Sequence, residues 1–319
     1  MKSAERRPLL AVATLAASTL IALVVAELVL RLLSPDRYYV WPPGLAVQFE
    51  SNPSITPGIE GLTRFTINED GIRGRPFSEG DDYRILAIGG STTECILLDD
   101  EEAWPRLLEA ELEGVFPASR FWVGNVGKSG HSALDHVLQA EKLPPQYPRI
   151  DAVVMLVGVN DFARLMRRGQ AYRSPPRDDP EFRQDLLEHA FAVVPETERS
   201  YPLHKRTELW QLARRALTGA NAEPDDPDQG EGSGYLLDQR ARRRRAGRVP
   251  SLPELGTALA DYRRSLDEIV TALEAQAIEP VFLTQPALWR EDLPAELEAL
   301  LWFGRAGVDA DSAREMYYA

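Results

Sequence analysis

Arg84-Ile-Leu-Ala-Ile-Gly-Gly-Ser-Thr-Thr-Glu94 is the stretch on which the fold turns. Arg84 to Ile88 is a short, nearly continuous apolar run, the pattern of a strand buried on both faces of a parallel sheet. It ends in Gly89-Gly90 and Ser91, then hydroxyls and acids, then a helical pattern. Glycines let a backbone turn sharply and approach a ligand closely. A serine at this point stands at the carboxyl end of a strand, where open α/β sheets hold their ligands. A helix starting just after it aims backbone N–H groups outward, as an anion requires. Taken alone, Gly-Gly-Ser at a strand end is most often only a tight turn.

Downstream, strand and helix patterns alternate. Trp104 to Leu112 reads as an amphipathic helix, Phe121 to Val126 as a second strand, and Ala133 to Leu143 as a helix ended by Pro144-Pro145. Ala152 to Val159 is a third, almost wholly apolar strand; Glu254 to Ala277 has helix-spaced apolar residues; Pro280 to Thr284 is a fourth strand. Such alternation predicts an α/β domain with a parallel sheet.

Three successive strands then end in a serine (Ser91), a glycine turn (Gly124-Asn125-Val126-Gly127-Lys128-Ser129-Gly130-His131-Ser132) and an asparagine (Gly158-Val159-Asn160-Asp161). In a parallel sheet all three ends fall on one edge. A serine attacking an ester needs donors aimed at the oxygen of the tetrahedral intermediate. A backbone N–H at a glycine and an asparagine amide are suitable donors. Each block has a plainer reading, since glycines turn chains and Asn-Asp caps helices; the three in order are harder to dismiss.

At these residues the chain resembles the SGNH (GDSL-type) hydrolases. Gly89-Gly90-Ser91-Thr92-Thr93 is similar to the first block, Asn125-Val-Gly127-Lys-Ser-Gly130 to the second and Gly158-Val-Asn160-Asp161 to the third. The resemblance covers roughly Asn68 to Pro286. It implies a flavodoxin-like three-layer α/β/α domain. It implies Ser91 as nucleophile, with an oxyanion hole of the Ser91 N–H, the Gly130 N–H (Gly127 second) and the Asn160 amide. The substrate would be an ester-bearing small molecule, lipid or glycan, with no cofactor and no metal. The acceptor is water in an esterase or a glycan hydroxyl in an O-acyltransferase. A non-catalytic domain that binds a glycan or acyl group is the alternative from another class. The Asn68-to-Gly74 turn after an apolar N-terminus resembles membrane-anchored bacterial members.

The departures are two. Gly90 replaces the aspartate of Gly-Asp-Ser. More seriously, the family's closing Asp-x-x-His, which supplies base and orienting carboxylate, has no counterpart. The four histidines are His131, His136, His189 and His204, and none has an aspartate three positions before it. The expectation is a C-terminally truncated sequence with little turnover, a degenerate homologue being the alternative. His131 adjoins Gly130 but is more often a packing residue than a substitute base. Two other motifs fail. Gly-x-Ser-x-Gly is broken at Thr93, and Gly127-Lys128-Ser129 lacks the earlier glycine of a phosphate-binding loop.

The flanks complete the layout. Lys2, Arg6 and Arg7 precede an apolar run from Leu9 to Ala26 that resumes after Glu27. A spanning helix needs ~20 apolar residues, and basic residues stay cytoplasmic. Residues 1–8 are thus expected as a cytoplasmic tail, 9–33 as an uncleaved transmembrane anchor (a cleaved signal peptide is the alternative), 34–82 as a stalk or irregular packing, and 83–319 as the extracytoplasmic domain. Tyr38, Tyr39 and Trp41 suit a membrane interface. Within an insertion over 164–253, Ala222 to Gly234 is expected to be disordered, and the six arginines of Arg240 to Arg248 to form a solvated face. The net charge of -13 argues against a nucleic-acid partner. The single cysteine, Cys95, excludes an internal disulfide and a cysteine-based metal site.

Overall fold

The computed structural model describes residues 6–33, 37–195, 209, 232–245, 254–286 and 293–301. His204, the acidic run 222–231 and Trp302-Phe303-Gly304 lie outside the described residues. The chain divides into two compact units, Met1–Arg37 with Val194–Asp226, and Tyr38–Val193 with Pro227–Ala319. In the first unit, α1 (Arg6–Leu33) is a helix of 28 residues. Leu15, Leu20, Ile21, Val25 and Leu28 on it are exposed. Among the described residues no helix is long and apolar enough to cross a membrane.

The second unit begins with an antiparallel pair, β1 (Ala46–Glu50) and β2 (Leu62–Thr66). Its main sheet has four parallel strands: β3 (Tyr83–Gly89), β4 (Phe121–Asn125), β5 (Ala152–Leu156) and β6 (Glu279–Leu283), in the order β4-β3-β5-β6. Counting these four alone, the order is 2-1-3-4, the flavodoxin-like winding. The chain moves to one side of β3 and then to the other, so a crevice opens between β3 and β5 at their carboxyl ends. Gly89 lies in register with Leu156, and Ala87 with Asn125, which levels the three strand ends.

Helices α2 (Ser91–Glu94), α3 (Trp104–Val115), α4 (Ala133–Lys142), α5 (Val159–Arg168), α6 (Pro180–Ala190), α7 (Gly232–Arg245), α8 (Gly256–Glu274) and α9 (Ala295–Glu298) surround the sheet. Strand periodicity sorts the core. Ile85, Ala87, Val123 and Val154 form one face, covered by Trp104, Leu108 and Leu112 of α3. The alternate residues Leu86, Ile88, Val153 and Met155 are also fully or almost fully buried. Helices α4 and α8 pack on each other, and α8 packs against β6. The result is an α/β arrangement with a parallel sheet.

The segment expected as a stalk or irregular packing is folded onto this unit from Tyr38 onward. Tyr38, Tyr39 and Trp41 are buried instead of lying at a membrane interface. The Trp41 Nε1 donates to the Gly127 carbonyl at 2.9 Å, and Tyr39 bridges Val193. The arginine run is not uniformly solvated either. Arg242, Arg244 and Arg245 are exposed, but Arg240 is buried and donates to the carbonyls of Leu300 and Ile55 at 3.1 and 2.7 Å. Gly232 and Gly234, expected to be disordered, lie in the first turn of α7.

Candidate functional site

Ser91 is the first residue of α2, directly beyond β3, and is exposed. Its N–H is one of the first-turn donors that a helix cannot satisfy internally. The two glycines before it serve close packing rather than an unusual backbone angle. Gly90 has φ -85°. A Cβ at Gly89 would fall 2.8 Å from the Leu156 carbonyl oxygen, and one at Gly90 would fall 2.7 Å from the Asn160 Nδ2. Any side chain at Gly90 would therefore push the third strand's asparagine away from the serine.

The second turn separates its two glycines by role. A Cβ at Gly127 would meet the Glu94 nitrogen at 2.3 Å, so the turn is pressed against the backbone of α2. The Gly127 N–H is already used, donating to Asn125 Oδ1 at 2.8 Å. Gly127 is thus unavailable as an oxyanion donor. Gly130 has φ +83° and open space where a Cβ would stand, and among the described residues its N–H has no acceptor. Of the two glycines, Gly130 is the one that offers a donor.

Asn160, the second residue of α5, reaches back across the crevice, its Nδ2 donating to the His131 carbonyl at 2.7 Å. An amide nitrogen carries two protons. One is held by His131, which fixes the amide plane, and the second remains for a ligand. The structure thus brings Ser91, the Gly130–His131 turn and Asn160 together at the switch point.

His131 is no base for Ser91. Its ring is buried, with Nε2 bonded to the His189 carbonyl at 3.0 Å and Nδ1 to the Gln139 amide nitrogen at 2.9 Å. An amide NH2 only donates, so Nδ1 accepts, and the proton sits on Nε2. Burial pushes this imidazole down to about 3. His136 is fully buried beside Gln139 and is likewise pushed down by burial.

Several residues act here in ways their motifs do not announce. Asn125 pins the second turn to the first, its Nδ2 donating to the Thr93 carbonyl at 2.7 Å. Arg73, buried at 3% exposure, gathers the carbonyls at the end of α2. It donates to Glu94, to Cys95 at 3.0 Å and to Leu98 at 2.6 Å, with Nε on Asp100 at 2.7 Å. Asp135 and His189, 54 residues apart, pair at 2.6 Å. Burial works against the Asp135 carboxylate, but the His189 bond and neighbouring positive charge outweigh it and hold it below the usual range. The same bond raises the His189 imidazole. This carboxylate-held histidine lies on the α4–α6 side, where its carbonyl bonds His131, whose own carbonyl holds Asn160. The four-residue Asp-x-x-His pattern has no bearing on such a pair, because folding, not spacing, joins it.

Beside Asn160, Asp161 accepts from the Ala133 N–H at 2.9 Å, at the start of α4. Its carboxyl lines a cavity of about 240 Å³ between α5, α8 and the end of β6. Burial raises it to about 6, opposed by that N–H and by Arg164.

No family model matches the chain, and no curated protein does. Solved structures similar to it include AlinE4, an SGNH-hydrolase family esterase, at 19% identity over 46% of this chain and 100% of its own, with a TM-score of 0.25. Axe2, an acetylxylan esterase from Geobacillus stearothermophilus, is 17% identical over 60% and 96%, with a TM-score of 0.22. LAE5, an alpha/beta hydrolase enzyme from the metagenome of Lake Arreo, Spain, is 15% identical over 72% and 98%, with a TM-score of 0.29. Likeness at these values carries no argument about reaction or substrate.

Proposed function

We propose that this chain carries an SGNH-type serine ester site. The observation that supports it is the convergence of an exposed Ser91, an unused Gly130 N–H and the Asn160 amide at the β3–β5 switch point. Ser91 Oγ adds to an ester carbonyl carbon and gives up its proton to a base. The carbonyl oxygen takes the negative charge and is met by the N–H groups of Ser91 and Gly130 and the free proton of the Asn160 amide. Collapse breaks the bond to the alcohol oxygen, which leaves with a proton, and an acyl-Ser91 remains. Water then gives hydrolysis, and a glycan hydroxyl gives acyl transfer.

The proton acceptor is not His131 or His136, whose rings are buried in the neutral network. A small soluble base should therefore substitute for it. With a fluorophosphonate probe, mass spectrometry should find the adduct on Ser91, formed faster when imidazole is added, and Ser91→Ala should carry none. Equal labelling of Ser91→Ala, or an adduct elsewhere in the chain, overturns the assignment.

We further infer that the apolar N-terminal run holds the domain to a membrane, with the α/β unit on the extracytoplasmic side. The motivating feature is the basic start followed by Leu9 to Ala26. Intact protein should stay in the membrane pellet after carbonate washing; release into the supernatant refutes the anchor.

A further inference from the structure

The cavity beside the site contains polar groups that the ester chemistry does not use. Its near wall is Gln285, whose side chain exchanges hydrogen bonds with the Thr92 hydroxyl at 3.0 and 3.2 Å. Thr92 is the neighbour of Ser91, so the cavity is next to the nucleophile's turn. Asp161, Tyr262, Arg164 and Thr284 also line the cavity. Among the described residues the Tyr262 hydroxyl has no hydrogen-bond partner. Arg164 spends one nitrogen on the Ser132 hydroxyl at 3.1 Å. The lining also includes Tyr172, Arg177, Asp261 and Ser265, together with apolar residues such as Phe162 and Leu259.

We propose that this cavity binds a neutral sugar ring, the alcohol part of the ester or the hydroxyl acceptor of the acyl group; its link to catalysis rests on Ser91 being the nucleophile. A simple acyl chain would cover the Tyr262 hydroxyl without giving it a partner, and would add nothing to the single bonds that Arg164 makes to Ser132 and Asp161 to the Ala133 N–H. A ligand with a full charge of either sign meets both carboxylates and guanidiniums there, since Asp261 and Arg177 also line it. A ring with several hydroxyls and apolar C–H faces satisfies both halves of the lining. Polar groups converging among apolar ones in a concavity are the usual make-up of a small-molecule site.

The test is direct binding to the full 319-residue chain by saturation-transfer NMR. The probes are the methyl pyranosides of glucose, galactose, mannose, xylose and N-acetylglucosamine, with hexanoate as the acyl competitor. At least one glycoside should bind, Tyr262→Phe and Gln285→Ala should each weaken it about fivefold or more, and Ser91→Ala should leave it unchanged. Circular dichroism of each variant confirms that the fold is retained. Binding of hexanoate with none of the glycosides, no binding by any probe, or glycoside binding insensitive to both substitutions overturns the proposal. Sugar binding without Ser91 labelling would sink the ester reading and leave the cavity assignment standing; the reverse result would do the opposite.

Discussion

Replacing Asp161 by asparagine should stabilise the protein, and only above a definite pH. The carboxyl is raised from 3.8 to about 6 because burial disfavours its charged form. A folded-state value above the unfolded one means the native state binds this proton more tightly. Stability is therefore lost as pH rises from the unfolded value through the folded one. The difference of about 2 pH units corresponds to roughly 3 kcal/mol at pH 8. That value already includes the opposing Ala133 N–H and Arg164, and the introduced amide keeps a carbonyl oxygen for the Ala133 N–H, so the expected gain stays at roughly 3 kcal/mol. At pH 4 the wild-type group is already protonated, and the two proteins should be nearly equal. Urea unfolding at both pH values measures this. With an m-value of ~2–3 kcal/mol/M, the midpoint of Asp161→Asn should rise by about 1 M at pH 8 and by almost nothing at pH 4. An equal shift at both pH values, or a loss at pH 8, would refute the reasoning, because neither follows from removing a disfavoured buried charge.

Two further substitutions probe the turns. Arg73→Lys should destabilise by about 2–4 kcal/mol, since an ammonium cannot reach the carbonyls of Glu94, Cys95 and Leu98 while keeping Asp100, and buried carbonyls are left unmet; thermal unfolding and the rate of Ser91 labelling should fall together, and wild-type behaviour in both would show the clasp is idle. Gly127→Ala should prevent folding or cost more than ~3 kcal/mol, because its Cβ would overlap the α2 backbone, whereas Gly130→Ala should cost only about 1–2 kcal/mol for its left-handed angle; urea midpoints in the opposite order would reverse the roles assigned to the two glycines.

The parallel strands were legible because burial on both faces writes itself as unbroken apolar runs, as in Arg84 to Ile88 and Ala152 to Val157. The ends were less so. Val159 reads as strand by composition but begins α5, since Gly158 at φ +111° breaks the chain direction first. The β1–β2 pair was missed for a physical reason. Phe49, Thr63 and Phe65 are buried and Val47 is half-buried, but each strand has only five residues and an 11-residue connection rich in proline and glycine separates them, so the alternation is too short to stand out. Trp41 shows the limit of reading an aromatic by its neighbourhood in sequence. Near an apolar segment it suits a membrane interface, yet its ring edge closes the Gly127 carbonyl 86 residues away. The candidate site residues are legible as types at strand ends. Which glycine donates, and what keeps the asparagine still, depended on contacts between strands that no single stretch contains.

Those contacts also give His131 a structural task beside the Gly130 turn. Its backbone carbonyl holds the Asn160 amide, and its ring is held in turn by Gln139 and by the His189 carbonyl. A charged ring could not accept from the Gln139 amide, so the network works only while His131 is neutral. The low proton affinity that burial imposes on it secures this across the ordinary pH range. The nearest cation of the second turn, Lys128, sits over the Trp41 ring at 5.0 Å and faces Glu94, which is itself engaged by Ser129. On the proposed reading, the donors offered to a developing oxyanion, the Gly130 N–H and the Asn160 amide, are fixed neutral dipoles. Such groups need no reorganisation when negative charge appears, the condition under which an oxyanion hole is most effective. In this chain, then, the buried histidine serves the geometry of Asn160 and Gly130, and under the proposed ester chemistry the proton of Ser91 goes to another group.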